Sequence, residues 1–128
     1  MPHLTLEYSA NLEGRLDVQA LCSIALKAAY STGVLEMSAT RVRAIRCDHF
    51  AIADEAPDNA FVDASLRIGQ GRPVDAKREV GEAIYKAMRT FCAPLFENHY
   101  FALSLELREI DSVLSWKENG IKPRLKSR

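Results

Sequence analysis

The 128-residue chain has little of what marks several large classes of protein. Lysine plus arginine equals aspartate plus glutamate at 17 each, so no net field attracts nucleic acid or an anionic membrane. Only three cysteines occur, without a CxxC pair, which argues against a zinc site or a disulfide framework and favours a reducing cytoplasm. Cys22 and Cys92 fall in apolar helical stretches, where we expect small core residues. No apolar run approaches the length of a membrane span, and no signal peptide is expected.

Sequence patterns that would bind a metal or a nucleotide are equally scarce. Asp48-His49 and Glu97-Asn98-His99 do not supply two ligands at helical spacing with a third in view, so we expect no metal site. Gly69-Gln70-Gly71 lacks the third glycine of a dinucleotide-binding fingerprint, because position 74 is valine. We interpret these glycines as a turn that presents Arg72.

The periodicity of the hydrophobic residues divides the chain into two similar halves. Residues 3–8 alternate between apolar and polar, which is typical of a strand with one buried face. From Asp17 to Tyr30 the apolar residues follow helical spacing, and Gly33 suits the C-terminal cap of that helix. A second strand is expected from about Arg41 to Phe50.

The second half repeats this pattern after a polar turn around Pro57. Residues 61–68 alternate as a third strand, and Pro73 suits the first turn of a second helix. Phe101 to Leu107 alternate as a fourth strand. The second helix is the clearest in the chain, because its apolar residues form one stripe over three turns: Val80, Ala83, Ile84, Ala87, Met88 and Phe91.

The two helices begin 58 residues apart, at Asp17 and Asp75, which indicates a β-α-β unit used twice. Because such crossovers are right-handed, both helices should lie on one face of a shared four-stranded sheet. We therefore predict a two-layer α+β fold in a single domain, 1–128, with units at about 2–50 and 60–110 and a tail at 111–128. The bare sheet face favours an oligomer.

Pro2 is the residue of greatest chemical interest. If Met1 is removed, as aminopeptidases normally do before proline, the chain begins with a secondary amine, whereas every other backbone nitrogen is a non-basic amide. Apolar surroundings destabilise the charged form of an amine, so its pKa falls towards neutrality and it can act as a base. The alternative is that Pro2 reflects only the trimming of the initiator methionine.

Four stretches carry a resemblance to known proteins: Pro2–Asn11, Thr40–Arg43, Phe61–Arg72 and Ala102–Glu106. Together with the two β-α-β units, they resemble the 5-carboxymethyl-2-hydroxymuconate isomerase family. This family belongs to the tautomerase superfamily, which also includes 4-oxalocrotonate tautomerase. The resemblance runs over nearly the whole chain.

The resemblance implies a tautomerase-like fold and a homotrimer, with the amino-terminal proline in a pocket near the subunit boundary. It implies an isomerase that moves a proton between carbons of an unsaturated dicarboxylate or tricarboxylate in homoprotocatechuate breakdown, without metal or organic cofactor. The catalytic proline of the family corresponds to Pro2, and its two arginine positions correspond to Arg41 and Arg72. Arg43 shares a strand face with Arg41 and is a further candidate for binding substrate.

These residue types suit the chemistry that the resemblance implies. Shifting a double bond beside a keto acid passes through a dienolate, so one base of near-neutral pKa must accept and then return a proton. Guanidinium groups pair bidentately with carboxylates and stay charged at any working pH. One arginine would hold a carboxylate and the other the oxygen where charge develops, and the sequence does not say which.

Several residues and functions remain open at this stage. We expect His3 on the strand face opposite Pro2, Arg67 in solvent, and Trp116 against a neighbouring subunit. The alternatives to this isomerase are a tautomerase of another small unsaturated acid and a non-catalytic trimeric binding module of the same fold. The basic end of the chain is read as solvated or subunit-contacting, and it comprises Lys117, Lys122, Arg124, Lys126 and Arg128.

Overall fold

The computed structural model describes residues 1–126, so Arg128 of the basic end lies outside the described residues. Three short 3-10 turns, at Ala10–Leu12, Met37–Ala39 and Ala93–Phe96, join the main elements. The strands and helices, in chain order, are β1 His3–Ser9, α1 Val18–Ser31, β2 Arg41–Cys47, β3 Ala60–Gly69, α2 Val74–Phe91, β4 Phe101–Ile110 and α3 Lys122–Lys126.

The four strands form one mixed sheet in the order β2-β1-β3-β4. β1 runs parallel to β2 with His3 opposite Arg41, and β3 runs parallel to β4. The two central strands are antiparallel, with His3 opposite Arg67. Each outer strand is therefore reached from its central partner through one helix, and α1 packs beside α2. The predicted α+β arrangement of two β-α-β units is confirmed.

The core lies between the helices and one face of the sheet. Alternate residues of the central strands point into it, and Leu4, Leu66 and Ile68 are completely buried. The predicted stripe of α2 faces them, since Val80, Ile84 and Met88 are also completely buried. Burying a side chain of this size stabilises the fold by roughly 1.5–3 kcal/mol. Both helices therefore cover the same sheet face, as predicted.

The cysteine predictions have a mixed outcome. Cys92 is fully buried, as a small core residue should be. Cys22 is only half-buried, because its position on α1 lies at the margin of the apolar stripe, although it still packs against the core.

Local hydrogen bonds explain where the helices begin and end. The Asp17 carboxylate caps α1 by accepting from the Ala20 amide at 3.0 Å. Gly33 has a positive φ of 79° and donates to the Tyr30 carbonyl, which ends α1 as predicted. Pro73 lies one residue before α2 rather than within its first turn, because its backbone is still extended.

The second strand is shorter than predicted. It ends at Cys47, three residues before Phe50, because its partner β1 ends at Ser9, directly opposite Cys47. Beyond that point the Arg46 guanidinium pairs with Asp48 at 2.8 Å, and the chain turns away from the sheet.

The sheet face away from the helices is polar. It carries His3, Arg43 and Arg67, and Ser104 donates to the Asp63 carboxylate at 2.6 Å. A polar face can remain in water, so the bare face by itself does not require a partner. None of the helices within residues 1–126 combines the length and apolarity that a membrane crossing requires.

Candidate active site

The start of the chain is fixed at one end of the central strand β1. The Pro2 carbonyl accepts a hydrogen bond from the Arg41 amide at 3.1 Å, which extends the β1–β2 ladder by one step. Pro2 is buried, in phase with Leu4 and Leu6, whereas His3 faces the open side of the sheet. The opposite orientations that the sequence predicts for Pro2 and His3 are therefore observed.

The tail folds back onto this end of the molecule. The Ser112 amide donates to the Gln70 side chain at 3.2 Å, and the Asn119 side chain donates to the Ser38 carbonyl at 3.0 Å. Lys122 pairs with Glu36 at 3.0 Å. This ion pair joins the basic end to a carboxylate 86 residues earlier, while the Lys122 side chain remains partly exposed.

A cavity of about 440 Å³, here called the amino-terminal cavity, opens where the chain start and the tail meet. Its size falls in the range of small-molecule sites. Three cationic side chains and only one carboxylate line it, so it is suited to an anionic ligand. The lining residues are Met1, Pro2, Glu36, Ala39, Arg72, Lys117, Asn119 and Lys122.

Of the three predicted arginines, one lines this cavity and a second contacts a residue of its wall. Arg72 lines it directly, and its guanidinium donates to the Gly69 carbonyl at 3.3 Å. Arg41 is half-buried and donates to the carbonyl of the wall residue Ala39 at 3.0 Å. Arg43 does not line the cavity, because it is exposed on the open sheet face.

Positive charge and burial act together on the amino terminus. Burial is the largest influence that lowers the pKa of the Met1 amino group below its ordinary value. The charge of Lys117 and its hydrogen bond to the amine come next, followed by the charges of Arg41 and Arg72. Any amine at this point of the fold therefore meets conditions that favour its neutral form.

His3, on the opposite face of the sheet, also lies close to several cationic side chains. Burial, and then the charges of Arg43, Arg67 and Arg41, lower the pKa of its ring below the ordinary value. The Arg43 guanidinium lies 3.2 Å from Nδ1, which accepts its hydrogen bond. The ring therefore makes a polar contact on the open face, as the sequence analysis expects.

Other cavities have volumes similar to or larger than that of the amino-terminal one. A second cavity, of about 520 Å³, adjoins the chain start and is lined by Arg67, Lys117 and the largely exposed Trp116. A larger cavity, of about 700 Å³, lies between α2 and β4 beside Tyr85, and none of the predicted site residues lines it. Converging cations around a buried proline identify a candidate site better than volume does, so we place it at the amino terminus.

Metal binding has no obvious location in the described part of the chain. Within residues 1–126, no three side chains of histidine, cysteine, aspartate or glutamate form a group that could hold a metal ion. The polar groups at the amino-terminal cavity are mainly cations, which repel metal ions and attract carboxylates.

Comparison with known proteins identifies the family of this chain. Residues 2–125 match the family described as 5-carboxymethyl-2-hydroxymuconate isomerase. The chain belongs to this isomerase family. A 5-carboxymethyl-2-hydroxymuconate Delta-isomerase of Escherichia coli is 31% identical over 94% of this chain and 96% of its own length. The family resemblance drawn from the sequence is thereby confirmed.

Solved structures agree with the family assignment. The crystal structure of a 5-carboxymethyl-2-hydroxymuconate isomerase from Deinococcus radiodurans is 32% identical, covers 97% of this chain and 93% of its own, and superposes with a TM-score of 0.90. A native fused 4-OT is only 16% identical, covers 97% and 98% of the two chains, and superposes with a TM-score of 0.68. The second likeness shows the fold alone, and that fold is the tautomerase-like one predicted.

The sequence does not reveal the part of the cavity wall that the tail builds. It assigns Lys117 and Lys122 only to a basic end and gives no role to Glu36 or Asn119. The one available signal was Asn119 just before Gly120, a residue type that often caps a helix, and it does accept from the amides of Ile121 and Lys122. Nothing in that pattern indicates that the tail reaches Pro2.

Proposed function

We propose that this member of the family isomerises 5-carboxymethyl-2-hydroxymuconate, with the amino-terminal proline as the base, as a step in homoprotocatechuate degradation. The observation that carries the proposal is the position of Pro2, buried at the wall of a cavity with Arg72 and Lys117. The substrate is taken from the names of relatives that match almost the whole chain.

In the proposed reaction the neutral Pro2 nitrogen removes a proton from the carbon beside the carbonyl in the keto tautomer of the substrate and returns it to another carbon. The electron pair left behind spreads over the conjugated chain and one oxygen as a dienolate. The same nitrogen can perform both transfers only if its pKa is close to the working pH. The burial and the cations that lower the pKa of the Met1 amine support such tuning of an amine at this end.

In this reaction the two arginines bind different negatively charged groups of the substrate. Arg72 lines the cavity, and Arg41 approaches it beside Ala39, so each can reach an anionic group in it. One pairs with a carboxylate and the other stabilises the dienolate oxygen as charge develops there. Arg43 remains a candidate for substrate binding through the open sheet face, where it adjoins His3.

The proposal requires that Met1 be removed from the native protein. While Met1 is attached, the Pro2 nitrogen is an amide without a basic lone pair. The intact mass of natively produced protein should therefore be that of the chain starting at Pro2. Retention of the methionine in active protein would contradict the assigned base.

We also propose that the subunits form a homotrimer and that the protein is cytoplasmic. The trimer follows from the family resemblance, and the exposed apolar side chains of Val113, Leu114 and Trp116 offer surface that a neighbouring subunit would cover. The cytoplasm fits three cysteines that are all free.

The function is tested by following the absorbance of 5-carboxymethyl-2-hydroxymuconate with wild type and variants. Pro2→Ala should abolish most activity, because a primary amine differs in basicity and geometry. Arg41→Ala and Arg72→Ala should each lower kcat/KM at least tenfold, since removing a group that stabilises developing charge costs roughly 2–4 kcal/mol. Arg15→Ala, an exposed arginine beyond the far end of β1, is the matched control and should leave the rate unchanged.

The outcomes of these assays distinguish the three functions considered. A Pro2→Ala variant as active as wild type would rule out the proline as base. Turnover of another small unsaturated keto acid, but not of this substrate, would indicate a related tautomerase. Absence of turnover with any such acid would favour a binding module of the same fold.

A further inference from the structure

Two cavities flank the start of the chain and have wall residues in common. The amino-terminal cavity contains Arg72, and the second cavity contains Arg67, while Met1 and Lys117 line both of them. Met1 therefore stands between the two spaces, and its removal would connect them. The Pro2 nitrogen would then lie near the junction, since it is the atom to which Met1 is attached.

We propose that the two cavities form one substrate cleft after Met1 is removed, and that Lys117 binds one of the two substrate carboxylates that the two arginines leave unpaired. This inference rests on the proposed function, because it names a further subsite of the same cleft. Lys117 would be a specificity-determining residue, selecting a tricarboxylate over a shorter dicarboxylate.

The charges of the proposed substrate require a third cation. A muconate has two carboxylates, and its carboxymethyl substituent adds another, while the dienolate oxygen becomes a fourth negative site during the reaction. Arg41 and Arg72 are assigned to one carboxylate and to the developing oxyanion. A further carboxylate enclosed without a partner would reduce affinity, because its desolvation would not be offset.

Lys117 is the cation best placed for that role. Of these two cavities Lys122 lines only the amino-terminal one, and it is paired with Glu36 at 3.0 Å. Arg67 lines only the second cavity. Lys117 lines both, and within residues 1–126 no carboxylate lies within ion-pair distance of it. The flexible stem of a lysine lets its ammonium follow a carboxylate into either space.

The influence of Lys117 on the present amino terminus supports this placement. Its charge and its hydrogen bond are the largest contributions after burial to the lowered pKa of the Met1 amine. An ammonium close enough to act on that amine is close to the position that substrate would occupy once Met1 has gone.

Binding of two simple acids tests the inference without relying on turnover. Isothermal titration calorimetry on Met1-free protein would compare propane-1,2,3-tricarboxylate with glutarate, for wild type and three variants. We expect wild type to prefer the tricarboxylate, and Lys117→Gln to weaken tricarboxylate binding about tenfold while changing glutarate binding little. Lys117→Arg should retain the preference, and Lys27→Gln, an exposed lysine on α1, should change neither affinity.

The kinetic counterpart compares kcat/KM for 5-carboxymethyl-2-hydroxymuconate and for 2-hydroxymuconate, which lacks the carboxymethyl group. Lys117→Gln should lower the ratio of the two values about tenfold. Equal losses for both substrates would overturn the inference, and so would no loss for either. A wild type that binds glutarate as tightly as the tricarboxylate would also overturn it.

These measurements distinguish failure of the inference from failure of the proposed function. If wild type turns over its substrate and Lys117→Gln keeps the selectivity, the function stands and the lysine subsite is wrong. If wild type turns over neither substrate but loses its tricarboxylate preference in Lys117→Gln, the subsite is correct and the assigned reaction is wrong.

Discussion

At the scale of a single residue, His3 shows how the cations near the start of β1 act on a titratable group. Its ring is partly buried, and Arg43, Arg67 and Arg41 are the charges that act on it most strongly. These three guanidinium groups would repel a protonated imidazole, so the folded protein favours the neutral ring. Neutral Nδ1 accepts the hydrogen bond from Arg43, and that bond would be lost on protonation.

This arrangement predicts a pH-dependent loss of stability. The folded pKa of His3 lies below the ordinary value of 6.5 that we assign to the unfolded chain. As pH falls below about 6.5, the unfolded state takes up a proton that the folded state does not, so the free energy of unfolding decreases until the folded pKa is passed. Urea unfolding between pH 7 and 5 measures this slope.

The His3→Asn variant provides the check. It keeps a hydrogen-bond acceptor for Arg43 but does not titrate, so its unfolding free energy should vary less with pH than that of wild type. Arg43→Gln should raise the pKa of the His3 ring in an NMR titration, because one repelling charge is removed. An identical pH slope in wild type and His3→Asn would show that the histidine contributes nothing.

Single residues differ in how far the sequence could predict their place in the site. Pro2 is recognisable because its amine is chemically unique, and Arg72 because a glycine turn presents it next to a strand. Lys117 could not be found in this way, since it lies 45 residues beyond Arg72 in a segment without periodicity. Its position depends on a fold of the tail that has no local signature.

At the scale of elements, Asn119 joins the tail to the rest of the site. Its amide group donates to the Ser38 carbonyl at 3.0 Å, and its side-chain oxygen accepts from the amides that begin α3. Because α3 has only five residues, its own hydrogen bonds cannot maintain it, and the contacts of Asn119 and Lys122 hold it in place.

We therefore predict that Asn119→Ala loosens the tail without unfolding the domain. Loss of such a cap costs about 1 kcal/mol, so hydrogen exchange at residues 115–126 should accelerate roughly fivefold while the core amides stay protected. KM for the substrate should rise, because Lys117 would be held less firmly. The control is Asn98→Ala, which removes a similar side-chain acceptor for Tyr100 at the distant start of β4. Equal exchange of the tail in Asn119→Ala and wild type would contradict this role.

The regular elements could be predicted because their signals are local. Alternation identified β1 and β3, which bury one face, and a three-turn apolar stripe identified α2. The end of β2 could not be read from its own residues, because the length of its partner β1 determines where pairing stops.

At the scale of the whole molecule, the two halves are related through the antiparallel pairing of β1 with β3. The start of β1 therefore lies beside the end of β3, with His3 opposite Arg67 and Leu4 opposite Leu66. Only the first unit has a proline directly before its central strand and a tail folded over that end. The repeat therefore produces one candidate site per subunit rather than two.

We predict that the assembled protein has three times the 14.3 kDa mass of the chain, as measured by light scattering after size exclusion. Leu114 is 69% exposed in the isolated subunit, and Leu114→Glu should lower the assembled mass because a charge resists burial at an interface. Gln19→Glu, on the exposed side of α1, adds the same charge and should leave the mass unchanged. A wild type with the mass of one chain would contradict the trimer.

The folded-back tail also determines where this enzyme can carry a fluorescent label or a surface anchor. An extension joined ahead of Pro2 would acylate its nitrogen, and a bulky group placed near Lys117 would obstruct the cleft. The turn between β2 and β3 offers a safer attachment point, since Ala53 and Glu55 are exposed and left-handed there, remote from the proline. A tag inserted into that turn would leave unchanged the amino terminus and the tail, which together build the wall of the cleft.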